Sequence, residues 1–246
     1  TAEILTLSWL RLSKPAPFIQ YAPKEVYEFL AKDKDQFRVF CLNRCLSQKT
    51  AVLYNLELLD GYSTIQQKNF YEEAWQLTGT YWNYYTLSIP PIGTFNDKIK
   101  PDPKSLGEYN VRYIISPYQL ANTDFILETK IENYFIYVNK LFKPRTNASI
   151  VFYSPNNIKI DTSGFNSNQV MLSEVYSPGW KAYLNGKEKE AVQETPNALR
   201  AVDIKADTKF VELRYSPESY TAGKYITLAT IISLIGYGIY KKTREK

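Results

Sequence analysis

The run Tyr225–Tyr240, YITLATIISLIGYGIY, holds no charged residue, and it lies between Lys224 and the tail Lys241, Lys242, Thr243, Arg244, Glu245, Lys246. A soluble helix normally carries a polar face, and this run offers no charged one, so hydrocarbon suits it better than a soluble core, the alternative reading. Lys and Arg stay on the cytoplasmic side of a membrane, which predicts the tail inside and the rest of the chain outside. Sixteen helical residues rise about 24 Å, short of the roughly 30 Å hydrocarbon core. Lys224 can snorkel and let the helix begin near Tyr220, giving a span over 219–240 and a cytoplasmic basic tail over 241–246. Tyr220, Tyr225 and Tyr240 suit the interfacial belts, and Lys224, Lys241, Lys242 and Arg244 suit the headgroups, so membrane lipid is a predicted partner.

Composition narrows the remainder. The net charge is +5 over 246 residues, and four of the 30 cations sit in the six-residue tail. No broad basic surface is left for nucleic acid. The 21 Tyr, 12 Phe and 4 Trp suit β-rich extracytoplasmic domains that pack or bind sugars with aromatic rings. There is no histidine, which removes the commonest general base and metal ligand. With two cysteines besides, neither a metal site nor a cofactor is expected. Cys41 and Cys45 would lie about 13 Å apart on a strand, too far for a disulfide. A turn at Leu42-Asn43-Arg44 would bring them together, but free cysteines are the expectation.

The chain begins at Thr1 without methionine or a signal peptide. Ile4, Leu5, Leu7, Trp9 and Leu10 look like the end of an apolar segment emerging into an interface. Residues 1–22 therefore read as a juxtamembrane lead-in, and the chain as the C-terminal end of a longer, multi-pass membrane protein.

Residues 23–147 read as an α+β extracytoplasmic region. Pro23–Lys32 predicts a short helix with Val26, Phe29 and Leu30 on one face. Phe37–Leu42 predicts a strand, Ala51–Leu59 is ambiguous, and Asp60-Gly61-Tyr62-Ser63 is a turn signal. Thr64–Leu77 predicts a helix stopped by Gly79. Pro90, Pro91, Pro101 and Pro103 argue for a loop over 89–103, and Leu106–Tyr109 for a helical turn. Val111–Ser116, Phe125–Thr129 and Tyr134–Asn139 predict strands.

Residues 148–218 read as an antiparallel β-sandwich. Short segments rich in β formers run over 148–153, 157–162, 169–176, 180–184, 188–194, 198–204 and 209–215, with turn signals between them. Asn185-Gly186 is a two-residue hairpin signal. Trp180, Ala182 and Leu184 alternate with Lys181 and Tyr183, which makes Trp180 a core residue.

No catalytic constellation stands out, so no catalytic residue is assigned. Asp60 with Glu72 or Glu73 is a conceivable glycosidase pair, but nothing in the spacing requires it. The cluster Tyr81-Trp82-Asn83-Tyr84-Tyr85 is the best candidate sugar platform. Trp82, Tyr84 and Tyr85 would stack on a ring and Asn83 would bond hydroxyls, with Asp60 and Tyr62 beside them. Plain packing between helix and sheet is the other reading. Asn147-Ala148-Ser149 fits a glycosylation pattern, a weak signal.

The stretches VYSPGWKAYLNGKEKEAV and LRAVDIKADTKFVELRYSPESYTAGKYITL are similar to the C-terminal end of the bacterial YfhO-type membrane proteins. FRVF at 37–40, DGYST at 60–64, YNVRYIIS at 109–116 and YVNKLFKPRT at 137–146 fit the same family in order. The resemblance implies a polytopic, glycosyltransferase-like protein of the GT-C kind. Such a protein would move sugar from a polyprenyl-phosphate donor to a cell-envelope polymer, with its upstream transmembrane helices as partners of this chain. The family's catalytic carboxylate is expected near the N-terminus, among helices upstream, so this part would support acceptor binding. The alternative is a membrane-anchored, non-enzymatic carbohydrate-binding or structural envelope module.

Overall fold

The computed structural model describes residues 21–59, 67–79 and 99–244. They fall into two compact units that divide between Lys143 and Pro144. The fold is mixed α+β, with several antiparallel sheets and one C-terminal apolar helix.

In the first unit, helix α1 (Lys24–Leu30) buries Val26, Tyr27 and Leu30. Strand β1 (Arg38–Cys41) follows, then a 3₁₀ turn over Leu42–Arg44. That turn corrects the expectation of free cysteines. It brings the Cα atoms of Cys41 and Cys45 to 5.5 Å, and the two are disulfide-bonded. The extended spacing does not apply, because Cys41 ends the strand and the chain coils at once.

The ambiguous apolar stretch after it also divides. Helix α2 (Gln48–Leu53) is capped by Ser47, which accepts from Thr50 N at 3.3 Å. It ends where Asn55 adopts a left-handed conformation, φ 54°. The Asn55 and Leu56 amides then bond Val52 O and Ala51 O, a Schellman closure, and strand β2 (Glu57–Leu58) begins.

Helix α3 (Lys68–Thr78) stops at Gly79, and helix α4 (Pro103–Glu108) is capped by Asp102 accepting from Ser105 N at 2.7 Å. Strands β3 (Val111–Ser116), β4 (Phe125–Ile131) and β5 (Tyr134–Asn139) complete a sheet of order β2-β1-β3-β5-β4. Strands β1, β2 and β3 run parallel, while β3, β5 and β4 run antiparallel. Val39, Ile115 and Ile136 of this sheet pack with Val26, Leu30 and Ala51. Two buried amides tie the loops down. Asn110 Nδ2 donates to Lys143 O at 3.0 Å, and Asn139 Nδ2 donates to Pro103 O at 2.8 Å.

The second unit holds β6 (Ser149–Ser154), β7 (Asn157–Asp161), β8 (Gln169–Val175), β9 (Trp180–Leu184), β10 (Glu188–Glu190), β11 (Val192–Glu194), β12 (Leu199–Asp203) and β13 (Phe210–Tyr215). They form a five-stranded sheet, β10-β9-β13-β7-β6, and a three-stranded sheet, β11-β12-β8. The segment 188–194, expected as one strand, is two: β10 pairs with β9 in one sheet and β11 with β12 in the other. Asn185 and Gly186 have φ 51° and 77°, both positive as the dipeptide signals, but Leu184 pairs with Glu188, so the hairpin loop holds three residues, with Lys187 the third, rather than two. Ile160, Ala182 and Leu213 of the larger sheet share one apolar core with Val170, Leu172 and Val202 of the smaller. Trp180 packs half-buried against that core. Helix α5 (Glu218–Arg244) follows β13 after two residues.

Candidate functional site

The ends of α1 and α2 leave two loops beside each other, 31–37 and 54–57. Between them lies a cleft of about 320 Å³, lined among others by Asp33, Asp35, Gln36, Tyr54, Asn55 and Glu57. Its local geometry follows from the sequence. Asp33 Oδ1 accepts from Asp35 N at 3.0 Å, which folds the Asp33-Lys34-Asp35 segment into a side-chain-closed turn. The left-handed Asn55 turns the other wall.

Each lining carboxylate faces a cation. Arg112 Nη1 lies 3.2 Å from Asp33 and 2.7 Å from Asp35, and Arg38 Nε lies 3.9 Å from Glu57. Tyr113 Oη donates to Asp33 Oδ2 at 2.9 Å. Burial first, and then that hydrogen bond, push the Tyr113 phenol up to about 12. The Lys34 ammonium donates to Ala31 O at 2.7 Å. Tyr54 stacks on Tyr27 with ring centroids 5.8 Å apart.

Charge in the cleft is thus balanced within the protein. No group of three potential metal-ligating side chains occurs among the described residues. Carboxylate and amide oxygens, amide donors and an aromatic ring together suit an uncharged, hydroxyl-rich ligand. The volume is near the lower end of the range for small-molecule sites.

The sugar platform expected from the sequence, Trp82, Asn83, Tyr84 and Tyr85 with Asp60 and Tyr62, lies outside the described residues. Of the carboxylates considered with Asp60, Glu72 is exposed and lies 3.6 Å from Lys68. Glu73 is buried, and burial, then the charge of Glu108, raise its carboxyl above the ordinary range. As consecutive residues they project about 100° apart around α3, one to solvent and one inward. Asn147 spends its amide on the fold: Nδ2 donates to Gln169 O at 3.1 Å and Oδ1 accepts from Met171 N at 2.9 Å. The cleft was missed because Asp33-Lys34-Asp35 reads as a polar break and nothing local ties it to residues 54–57.

Helix α5 is long and apolar enough to cross a membrane, and its apolar window is wholly exposed. Tyr220, Lys224, Tyr225, Tyr240, Lys241, Lys242 and Arg244 all lie exposed on it. The hydroxyls in the run turn back on the helix. Thr227, Thr230 and Ser233 donate to Gly223 O, Ile226 O and Ala229 O, each at 2.9 Å. Hydroxyls satisfied in this way need no water, which suits a hydrocarbon setting.

No family model, no curated protein and no solved structure matches this chain.

Proposed function

We propose that this chain is the extracytoplasmic C-terminal part of a YfhO-like, glycosyltransferase-like membrane protein. Its two sheets would form a β-sandwich on the outer face, its cleft would hold an acceptor glycan, and α5 would anchor it. Catalysis, with a polyprenyl-phosphate sugar as donor, would belong to upstream helices. The observation that carries the reading is the agreement of two unrelated compartment markers. The Cys41–Cys45 disulfide suits an oxidising, extracytoplasmic setting for the body. The Lys241, Lys242 and Arg244 cluster suits a cytoplasmic end for α5.

The test uses the full-length protein in its own cells. Protease added outside intact cells should cut the body and spare an epitope placed after Lys246. Deleting the gene should remove one sugar substituent from the envelope polymer, and the full-length protein should restore it. An inward-facing body overturns the placement. An unchanged polymer with an outward-facing body favours the non-enzymatic envelope module instead.

A further inference from the structure

The larger sheet of the second unit has two chemically different ends. One end gathers four segments: 154–157, 176–181, 195–198 and 214–217. Tyr215 N donates to Asn156 O at 2.9 Å, Tyr176 N donates to Ala198 O at 2.7 Å, and Tyr215 pairs in register with Trp180. None of these four segments contains Asp or Glu; they carry Tyr176, Trp180, Tyr215, Lys181 and Arg214. The opposite end, at segments 161–164 and 205–209, carries Asp161 and Asp207 with Lys205 and Lys209, and neither segment holds an aromatic residue.

This aromatic end, where Glu212 is ion-paired to Arg214 at 2.6 Å and accepts from Asn157 Nδ2 at 3.1 Å, is also the one that leads into α5. Only Ser216 and Pro217 separate β13 from the helix. Two residues span at most about 7 Å. The junction is pinned as well as short. Ser216 N donates to Gly179 O at 2.7 Å, and a Cβ on Gly179 would lie 2.8 Å from Pro217 Cβ. Gly179 has φ +102°, a backbone that side chains rarely adopt. Thr221 N reaches back to Pro217 O at 3.3 Å, so helical bonding starts at once.

The 27 residues of α5 fix the level of that junction. At about 1.5 Å per residue they measure roughly 40 Å, close to the 40–45 Å of a bilayer with its headgroups. The helix therefore spans headgroup to headgroup, and the end of β13 arrives at the outer headgroup layer. Trp180 and Tyr215 are there, with ring centroids 5.4 Å apart. The Arg200 guanidinium lies 4.1 Å from the Trp180 ring centroid, on the side of the smaller sheet. Trp180 shares its strand face with buried Ala182 and Leu184, so its ring closes the apolar core at this end. Tyr215 is 38% exposed. Trp180 and Tyr215, with Lys181, Arg200 and an Arg214 that is paired to Glu212, make up a side-chain set that suits a membrane interface.

We propose that this end of the second unit is a lipid-headgroup surface. Trp180 and Tyr215 seat in the outer interface of the bilayer, and the Gly179–Pro217 junction holds the sheets upright on the span. The proposal rests on the reading of α5 as a membrane span.

The test places the chain in vesicles of phosphatidylcholine and phosphatidylglycerol, with bromine on the acyl chains either near the headgroup or deep. The fluorescence component lost in Trp180→Phe belongs to Trp180. It should be quenched at least about twofold more by shallow bromines than by deep ones. If Trp180→Phe does not fold, a chain carrying Trp9→Phe, Trp75→Phe and Trp82→Phe reads the same component alone. Inserting four Gly/Ser residues between Ser216 and Pro217 should cut the shallow quenching by at least about half, as the sheets lift from the surface. An alkaline carbonate wash reports the span separately. A chain that stays in the vesicles with Trp180 unquenched, or with quenching indifferent to the insertion, overturns the proposal and leaves the span standing. A chain that washes out overturns both.

Discussion

Each unit contains an arginine, a carboxylate and a tyrosine in nearly the same arrangement. In the first, Arg112 lies 3.2 Å from Asp33, and Tyr113 donates to that carboxylate at 2.9 Å. In the second, Arg145 lies 3.1 Å from Glu174, and Tyr153 donates to it at 2.8 Å. Even the stacking matches, with the guanidinium 5.8 Å from the Tyr113 ring and 5.5 Å from the Tyr153 ring. What differs is water. The Arg112 side chain is 30% exposed and the Arg145 side chain 2%. A list of contacts would rank the two alike. Desolvation does not, because a charge stranded in a low-dielectric interior costs far more than one that water can reach.

The largest expected effect breaks the buried cluster. Arg145→Ala empties a site closed to water, where the side chain is 2% exposed, and takes its ion pair from Glu174, so the lost packing and the lost pair together should destabilise the second unit by about 3–5 kcal/mol. Hydrogen exchange of the amides in β8 and β12 under increasing urea measures it unit by unit. Arg145→Met combined with Glu174→Leu should recover most of that loss, because no charge then stays buried alone. If the double variant is as unstable as Arg145→Ala, packing rather than charge is what the site needs.

The second effect asks what holds the first unit, if not its ion cluster. Cys41→Ala with Cys45→Ala removes a short covalent loop and should cost about 2 kcal/mol by the chain-entropy estimate. Reduction of the unaltered chain should cost a similar amount. Arg112→Ala ranks third, at no more than about 1 kcal/mol, and the difference should shrink in high salt. A loss for Arg112→Ala as large as that for Arg145→Ala would break the comparison outright.

The two units also differ in how far their order shows in the chain. In the second, every strand pairing is antiparallel, three of them join strands next to each other in sequence (β6 with β7, β9 with β10, β11 with β12), and Asn185-Gly186 announces its turn through two residues that tolerate positive φ. The strands over 148–215 could therefore be read with small shifts at their ends. The segment 188–194 was read as one strand because nothing at Ala191 marks the change of sheet. In the first unit β4 and β5 form a hairpin, but β1 lies between β2 and β3 and runs parallel to both, so its pairings need crossovers that no local signal marks. The turn at Asn55 needs only one left-handed residue, with no glycine or proline to flag it. The disulfide was missed for a related reason, since four residues of strand and four residues of turn have the same spacing in sequence. The buried cluster was invisible too, because Glu174 lies 29 residues from Arg145. Of the candidate features, the long apolar C-terminal helix was legible from the uncharged run between its basic flanks. The cleft was not, as it exists only where two helix ends meet.

The smallest effect sharpens the comparison at alkaline pH. Burial and the neighbouring carboxylate raise both phenols, Tyr113 to about 12. An unfolded tyrosine titrates near 10. The folded state therefore binds the phenol proton more tightly, and the contribution to stability is complete below about pH 10. It fades as pH rises toward about 12 and the folded phenol of Tyr113 itself loses its proton. Relative to Tyr113→Phe, the unaltered chain should therefore lose its advantage across that window and not on the acid side. Tyr153→Phe should behave with the same sign. It should also add a fixed loss at neutral pH, because Arg145 and Glu174 each lose one hydrogen bond, a small loss since Tyr153 is 39% exposed and water can reach the vacated position. Urea midpoints of the two variants between about pH 7 and 12 would separate the titrating part, common to both units, from the fixed part that the extra bond from Arg145 adds in one.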